Sequence, residues 1–276
     1  MRTASPLRYP GGKWRVAPFF ERLIALNTSR PPVYVEPYAG GASLALSLLF
    51  QKRVREVYLN DIDPAIHAFW HSALTHNSAF RQCIADVRVT PAEWLRQKRI
   101  YATGLAAGRF ALGFATFFLN RTNHSGILNG GMIGGKQQLG EFKLDARFNR
   151  AELQTRIARI GKFRSQIHLS QLDALEFLRR RRFPANTLIY LDPPYFRAGK
   201  ALYLNAYQAD DHVAVKQYLH SVKVPWVVSY DDVPEIRRLY RSLRARRIEL
   251  LHTARSAHQG AEVLFFGPGL RIPRRV

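Results

Sequence analysis

A short apolar run followed by an acid and two prolines is the feature that most constrains the fold of this chain. Residues Thr187 to Leu191 form the run, and Asp192-Pro193-Pro194-Tyr195 follow directly. The length and composition of the run predict a buried parallel strand. The tetrapeptide would then lie at the carboxyl end of that strand, where open α/β sheets bind their ligands. The sequence therefore predicts an α/β sheet with a carboxylate at the mouth of a site.

The tetrapeptide presents hydrogen-bond acceptors and no proline donor. Asp192 precedes a proline and is held in an extended conformation, and neither Pro193 nor Pro194 has an N–H. The Asp192 carboxylate and the Pro193 carbonyl oxygen can together accept both hydrogens of an NH2 group. Accepting them stabilises the positive charge that develops on an aryl amine as it attacks a methyl donor. Tyr195 offers a ring for an unstacked base, whereas the alternative is a simple turn after the strand.

Two segments nearer the N-terminus have the pattern of a nucleotide-type cofactor site. A strand-like run from Val33 leads into the turn Glu36-Pro37-Tyr38-Ala39-Gly40-Gly41-Ala42-Ser43, and an apolar helical pattern follows. Glycines there let a cofactor approach the backbone beside a helix N-terminus; an ordinary strand-to-helix turn is the alternative. Asp61, after a second strand-like run, has the spacing of an acid that binds ribose hydroxyls. Asp63 precedes Pro64 and is predicted to cap the next helix.

Four segments, in the family's order, resemble motifs of the Dam-like DNA adenine-N6 methyltransferases, which use S-adenosylmethionine (SAM). They are Leu7-Arg8-Tyr9-Pro10-Gly11-Gly12-Lys13, the Glu36 to Ser43 turn, Asn60-Asp61-Ile62, and Asp192 to Tyr195. A fifth segment, Phe118-Leu119-Asn120-Arg121-Thr122-Asn123-His124-Ser125-Gly126, resembles the Leu-Asn-Arg stretch of the family's DNA-recognition region. The order of the parts is similar to the alpha arrangement of amino-methyltransferases.

The resemblance implies roles for individual residues. The residues that would bind the methyl donor are Tyr9, Lys13, Glu36, Tyr38, Gly40, Asp61, Asp173 and Asp192. The catalytic residues would be Asp192, Pro193, Pro194 and Tyr195, and the DNA-binding residues would be Arg121, Asn123 and His124. Asp173 is also a natural helix cap, so its role stays open. Ser229 and Tyr230 are candidates for the wall of the base pocket, and a buried strand end is the alternative for them.

Composition favours a nucleic-acid partner. The chain has 42 Lys and Arg against 20 Asp and Glu, which gives a formal net charge of +22. So positive a surface repels itself unless a polyanion is its usual partner, although membranes and ribosomes are also anionic. Arginines cluster at 179–182, at 237–247 and in the C-terminal tail, where they would bind phosphates rather than read a sequence. Double-stranded DNA is the predicted partner.

Several classes of protein and site are excluded by the sequence. No apolar run reaches the length of a membrane span and no signal peptide is apparent, so a cytoplasmic protein without a membrane partner is predicted. The single cysteine, Cys83, rules out an intramolecular disulfide and a cysteine-cluster zinc site. The nine histidines have no metal-site spacing, and no metal is predicted. The resemblance implies a monomer.

The run of elements predicts a doubly wound, Rossmann-like α/β sheet with an inserted, mainly helical domain. Strand-like runs lie at about 33–37, 55–60, 166–170, 187–191, 225–230, 247–252 and 262–266, and they alternate with helical patterns. Residues 1–75 and 163–276 are predicted to form the SAM-binding catalytic domain, and residues 76–162 the DNA target-recognition domain. Within that insert, Phe110, Phe114, Phe117 and Phe118 recur at helical spacing and are predicted to be core.

These features together predict a site-specific DNA adenine-N6 methyltransferase that flips its target base. Transfer would be direct, from SAM to the N6 amine, without a covalent enzyme intermediate. One alternative is a methyltransferase that acts on another planar amine or amide, such as cytosine N4, RNA adenine or a protein glutamine. The other is a catalytically inactive, basic DNA-binding protein.

Overall fold

A computed structural model describes residues 3–8, 13–196, 207–251 and 259–274 of the chain. Its strands are β1 (Val33–Glu36), β2 (Glu56–Asn60), β3 (Ile167–Ser170), β4 (Thr187–Leu191), β5 (Trp226–Asp231), β6 (Arg244–Leu251) and β7 (Gln259–Phe266). They form one sheet of order β3-β2-β1-β4-β5-β7-β6. The first five strands are parallel, and β7 is antiparallel to both β5 and β6. The prediction of a doubly wound α/β sheet is confirmed.

The helices of the described residues lie before β1 and between later strands, and several of them fall in the segment between β2 and β3. They are α1 (Ala17–Asn27), α2 (Ser43–Phe50), α3 (Pro64–Thr75), α4 (Asn77–Asp86), α5 (Pro91–Thr103), α6 (Arg109–Thr122), α7 (Arg150–Lys162), α8 (Ala174–Arg180), α9 (Ala209–Ser221) and α10 (Pro234–Leu239). Short 3-10 turns span Lys13–Val16, Gly104–Ala107, His124–Gly126 and Arg164–Gln166. The segment between β2 and β3 is mainly helical, as predicted.

Side-chain caps set where several helices begin. The Asp63 carboxylate accepts a hydrogen bond from the Ala65 N–H at 2.8 Å at the start of α3, which confirms its predicted role as a cap. At the start of α5, the Thr90 hydroxyl accepts from the Glu93 N–H at 3.2 Å. In both helices a proline occupies the first turn, where a missing N–H costs nothing. Each cap stabilises its helix by about 1 kcal/mol.

Strand β4 is buried on both faces because helices cover both sides of the sheet. All five of its residues are buried. Leu188 and Tyr190 point into the core shared with α1 to α4, α6 and α7, and Ile189 and Leu191 into the core shared with α8 to α10. Alternate residues of a strand point to opposite faces, so an unbroken apolar run is what a central parallel strand requires.

The helices between β2 and β3 pack directly on α3 and share its core. The ring of Phe69 on α3 stacks on that of Phe117 on α6, with centroids 6.2 Å apart. Gly113 lets the two helices approach closely, because a Cβ at that position would lie 2.4 Å from the Ala68 carbonyl oxygen. Phe117 and Phe118 are fully buried, which confirms their prediction as core residues.

Candidate active site

The ends of β1 and β4 lie side by side at the point where the strand order reverses. β1 pairs with β2 on one side and with β4 on the other, so the chain winds in opposite directions from this point. Crevices outside the carboxyl ends of the strands at such a point are where open α/β sheets bind ligands. Glu36 ends β1 and Asp192 follows β4, so the topology brings two predicted site residues together.

The Asp192 carboxylate is held by hydrogen bonds to both of its oxygens. The Ser229 hydroxyl of β5 donates to Oδ1 at 2.6 Å, and the Lys13 ammonium donates to Oδ2 at 2.8 Å. The Tyr190 hydroxyl lies 2.8 Å from the Ser229 hydroxyl and extends the network into the core. Two parts of the chain that are distant from β4 in sequence therefore orient one carboxylate at its end.

Lys13 lies between two carboxylates in the interior. It is only 6% exposed, and its Nζ lies 2.8 Å from Asp192 Oδ2 and 3.4 Å from Glu262 Oε2. Nζ also donates to the Tyr195 hydroxyl at 2.7 Å, and that hydroxyl donates in turn to Glu262 Oε1. Burial raises the pKa of Glu262, and the Lys13 charge acts in the opposite direction. The tetrapeptide is thus attached to an ion-pair network formed by Lys13 and Glu262, which lie far from it in sequence.

Glu262 was absent from the sequence-based predictions. It lies in β7 and is 1% exposed, and the segment around it was interpreted only as a final core strand. The available signal was a lone acid inside the otherwise apolar stretch from Ala261 to Phe266, because a buried carboxylate needs a cationic or hydrogen-bonding partner. Ser229, a candidate for the wall of the base pocket, is fully buried in β5 and contacts Asp192 directly.

The glycine turn after β1 bends sharply and is braced from two sides. Gly40 and Ala42 both have φ of +45°, in the left-handed region. The Gly40 N–H donates to Asp61 Oδ2 at 2.8 Å, and the Gly40 carbonyl accepts from the Trp70 indole N–H at 2.8 Å. Ala42 precedes the first residue of α2. The turn, the Asp61 carboxylate and the N-terminus of α2 therefore form one unit.

Two carboxylates beside this turn are protonated more readily than ordinary acids. Burial and the nearby Asp63 raise the pKa of Asp61 to about 7, although hydrogen bonds from the Gly40 and Asp63 N–H groups oppose the shift. Burial raises the pKa of Glu36 to about 8. Glu36 Oε1 accepts from the Tyr34 hydroxyl and from the Ala45 N–H, both at 3.1 Å. Perturbed carboxylates in a crevice are typical of functional sites.

These shifts predict that the stability of the ligand-free protein falls with pH. The folded-state pKa values of Asp61 and Glu36 are raised, so their contributions are complete below their ordinary values near 4 and are lost as pH rises through about 7 and about 8. Relative to the double variant Asp61→Asn, Glu36→Gln, the free energy of unfolding should fall by on the order of 6 kcal/mol between pH 5 and pH 8. Urea unfolding at both pH values measures the difference, and parallel behaviour of the two proteins would contradict it.

Other predicted donor-site residues lie around the same crevice. The Tyr38 hydroxyl lies 2.8 Å from the Tyr207 hydroxyl. Asp173 caps α8 by accepting from the Leu175 and Glu176 N–H groups at 3.0 and 3.1 Å, the alternative role that the sequence left open. Tyr9 lies outside the described residues.

An asparagine that sequence reasoning did not single out as a site residue connects three strand-end loops. The Asn60 amide donates to the carbonyls of Pro37 and Leu172 at 3.0 and 2.9 Å and accepts from the Leu172 N–H at 3.0 Å. Its side chain is completely buried. The loops after β1, β2 and β3 are thereby held at fixed spacing.

The three residues predicted to contact DNA are placed differently from one another. Asn123 is fully buried: its amide donates to the Ile127 and Leu128 carbonyls, and its oxygen accepts from the Trp94 indole. Arg121 is 9% exposed and donates to the Arg147 carbonyl. Only His124 is exposed. In this arrangement Arg121 and Asn123 support the loop from inside, because their donors are used by buried carbonyls, and the DNA contact predicted for them stays a prediction.

The loop that contains His124 is attached to the N-terminal segment. The Asn120 oxygen accepts from the Arg8 N–H at 2.6 Å, and its amide donates to the Arg8 and Gly126 carbonyls at 2.7 and 2.9 Å. Gly126 has φ of +76°, and a Cβ there would lie 2.4 Å from the Arg8 carbonyl oxygen. The segment that leads to Lys13 and the predicted recognition loop are therefore in direct contact.

Replacing Asn120 with alanine should loosen both segments at once. The substitution leaves the Arg8 N–H and two carbonyls without their partner, so we expect the free energy of unfolding to fall by about 2–4 kcal/mol. Urea unfolding measures the loss. Asn129→Ala, at an exposed position in the same loop, is the matched control and should change stability by less than about 0.5 kcal/mol. A loss for Asn120→Ala no larger than that of the control would contradict the contact.

Two global findings bear on the class of protein. Among the described residues, no helix is long and apolar enough to cross a membrane. Within the same ranges, no group of three or more His, Cys, Asp or Glu side chains is arranged to hold a metal ion.

Comparison with known proteins gives a family model and several solved structures. A structure of an rRNA methyltransferase from Streptomyces viridochromogenes is 16% identical, with a TM-score of 0.41, over 94% of this chain and 86% of that one. A protein from Pyrococcus horikoshii assigned as an RNA methyltransferase is 11% identical, with a TM-score of 0.44, over 95% and 86%. None of the curated proteins compared matches the chain. Likenesses this distant carry no argument about its substrate.

The family model gives a different and more extensive match. It describes the D12 class N6 adenine-specific DNA methyltransferases and matches residues 9–255. That range contains Lys13, the glycine turn, Asp61, the His124 loop and the Asp192 tetrapeptide. All of these except the His124 loop lie around one crevice. The chain therefore belongs to the D12 class N6 adenine-specific DNA methyltransferase family and is a SAM-dependent methyltransferase.

Proposed function

We propose that the protein methylates the N6 amine of an adenine that has been flipped out of double-stranded DNA. The observation that carries the proposal is the oriented Asp192 carboxylate, followed by two prolines that offer no competing N–H donor. A carboxylate and the Pro193 carbonyl suit the two hydrogens of an aromatic amine. Membership of an adenine-specific family supports the same acceptor.

The residues of the crevice suit the methyl donor. Asp61 Oδ1 and Oδ2 each accept one backbone N–H, which leaves lone pairs for ribose hydroxyls. The left-handed turn at Gly40 and the N-terminus of α2 would face the rest of the donor, with Glu36, Tyr38 and Asp173 around them. Tyr9 and Lys13 would complete the site. When bound, SAM supplies an electrophilic methyl group on a sulfonium sulfur.

Asp192 would orient the target amine and stabilise the charge that develops on it. The N6 lone pair is otherwise delocalised into the base. When the Asp192 carboxylate and the Pro193 carbonyl accept the two N6 hydrogens, this lone pair can point at the methyl group. The amine proton is then within reach of the carboxylate. Lys13 places positive charge on the same carboxylate at 2.8 Å, so arrival of the amine requires Asp192 to share an oxygen between two donors or to exchange them. Tyr195 would stack on the base.

DNA would be gripped by the insert of residues 76–162. His124 is exposed in a loop whose shape is maintained from inside by Asn123 and Arg121. The excess of basic residues supplies sequence-independent attraction to phosphates. Base-specific contacts from the insert would be added to that attraction, and phosphate contacts would set the register.

Mass spectrometry of nucleosides tests the proposal directly. Methylation-free genomic DNA is incubated with SAM and either the wild type or Asp192→Ala, and the DNA is then hydrolysed. N6-methyladenine formed only by the wild type is the expected result. Methylcytosine instead, or no modified nucleoside despite donor binding by calorimetry, would refute the proposed acceptor. Equal methylation by both proteins would remove Asp192 from the mechanism.

A further inference from the structure

The edge of the sheet opposite the candidate active site carries a concentration of positive charge. Strands β1 to β5 are parallel and therefore begin at one edge, which we call the amino edge. An exposed basic residue lies shortly before each strand: Arg164 before β3, Arg55 before β2, Arg30 before β1, Arg182 before β4 and Lys223 before β5. Topology thus collects charges that are far apart in sequence.

Hydrogen bonds join the loops that precede β1, β2, β3 and β4 at this edge. The Gln166 amide donates to the Arg55 carbonyl at 2.9 Å, and the Arg55 N–H donates to the Pro32 carbonyl at 3.0 Å. The Asn186 amide, just before β4, donates to the Arg30 carbonyl at 3.3 Å. The amino-edge patch is defined by its exposed basic residues Arg30, Arg164, Arg179, Arg181, Arg182 and Lys223.

The charge of the patch is not neutralised by neighbouring acids. Carboxylates pair with three adjoining arginines, as Arg53–Glu21, Arg55–Glu56 and Arg180–Glu176. The six patch residues form no ion pair with a carboxylate anywhere in the described ranges. Two of them lie against aromatic rings, with the Arg179 guanidinium 5.8 Å from the Tyr218 ring centre and that of Arg181 5.2 Å from the Tyr58 ring centre. These contacts orient the guanidinium groups and leave their charge available.

The patch lies too far from the crevice to belong to the same ligand site. Five residues of β4 separate Asn186 from Asp192, which corresponds to about 20 Å along the strand at about 3.3 Å per residue. The two edges also face in opposite directions. A duplex that delivers a base to Asp192 would therefore leave the amino-edge patch exposed.

We propose that the amino-edge patch binds the phosphate backbone of a second segment of duplex DNA, so that one molecule holds two segments together. The inference rests on the proposed function for the first segment. Exposed arginines and a lysine that form no ion pair with a carboxylate of the described residues suit phosphates, and they read no base sequence. On long DNA the second contact keeps a neighbouring segment at high local concentration, so the enzyme can pass between segments without full release.

Energy transfer between two short duplexes, one with a donor dye and one with an acceptor dye, tests the proposal. The wild type should bring the dyes together at low salt. The variant Arg30→Gln, Arg164→Gln, Arg182→Gln, Lys223→Gln should lose the signal while still methylating a single short duplex. The logarithm of the binding constant for long DNA falls linearly with the logarithm of salt concentration. If all four residues contact phosphates, this slope should be shallower by about 3–4 in the variant than in the wild type.

A charge-matched variant separates the patch from net charge. Arg81→Gln, Arg88→Gln, Arg99→Gln, Arg109→Gln removes the same charge from exposed positions in the insert, so it should weaken binding of a single short duplex, whereas the patch variant should bind a single duplex like the wild type. Equal loss of single-duplex binding in both variants, no transfer by the wild type, or tighter binding of the wild type to anionic lipid vesicles than to a second duplex would overturn the inference. Asp192→Ala should bridge duplexes normally. If the wild type bridges duplexes but does not methylate DNA, the proposed function fails and the bridging inference stands.

Discussion

Asp192→Asn is expected to lower kcat for methyl transfer by about 10²–10³-fold, because the amide removes the negative charge that stabilises the developing positive charge on the amine. The side chain keeps its size, so donor binding should change little. Ser229 can still donate to the remaining oxygen, whereas Lys13 loses a charged partner at 2.8 Å. Single-turnover methylation of duplex DNA gives the rate, and calorimetry gives donor affinity.

Asp145→Asn is the matched control for this change. Asp145 is exposed and distant in sequence from the strand ends, so the same acid-to-amide replacement should leave kcat unaltered. A rate for Asp192→Asn within about threefold of the wild type would show that the carboxylate contributes little to the barrier. A parallel loss of donor affinity would indicate that Asp192 acts mainly in binding SAM.

Glu262→Ala is expected to lower the free energy of unfolding by about 2–4 kcal/mol. The substitution removes one of the two carboxylates around the buried Lys13 and the acceptor of the Tyr195 hydroxyl. Removing one member of a buried ion pair leaves the other charge without its partner. The free-energy cost is larger than the stabilisation that an exposed ion pair contributes. Tyr195 loses its anchor as well, so kcat should fall. Urea unfolding and single-turnover rates measure the two effects.

Glu262→Gln separates charge from shape in this network. It keeps an acceptor for the Tyr195 hydroxyl, so its rate should exceed that of Glu262→Ala, although the ion pair with Lys13 is lost. Glu141→Ala, at an exposed position, should leave stability and rate unchanged. If Glu262→Ala matched the wild type in stability, the buried ion pair would have no energetic role.

The strands could be predicted because local pattern and tertiary environment agree there. The apolar run before Asp192 matches β4 residue for residue, and the run from Val33 matches β1 to within one residue. The Asp63 cap was also predictable, since an acid before a proline at a helix start satisfies the first N–H groups locally. In each case the physical cause lies within a few residues of sequence.

The roles of Arg121 and Asn123 could not be derived in the same way. Their residue types suit base edges, but the direction in which their side chains point depends on how α5, α6 and the following loop pack. Asn123 meets the Trp94 indole, 29 residues away, and Arg121 meets the Arg147 carbonyl. A side chain inside a loop between packed helices satisfies buried carbonyls first, because leaving them without a donor is costly.

The sequence by itself determined the α/β class, the place of Asp192 at a strand end and the motifs of the family, because each of these depends on residues that are close together in sequence. Tertiary structure alone decided that Lys13 and Glu262, 249 positions apart, share one network with Asp192 and Tyr195. It also decided that the arginine cluster at 179–182 shares one edge of the sheet with Arg30, Arg164 and Lys223. Such groupings follow from strand order and crossover connections, which bring distant residues together without leaving a local signal.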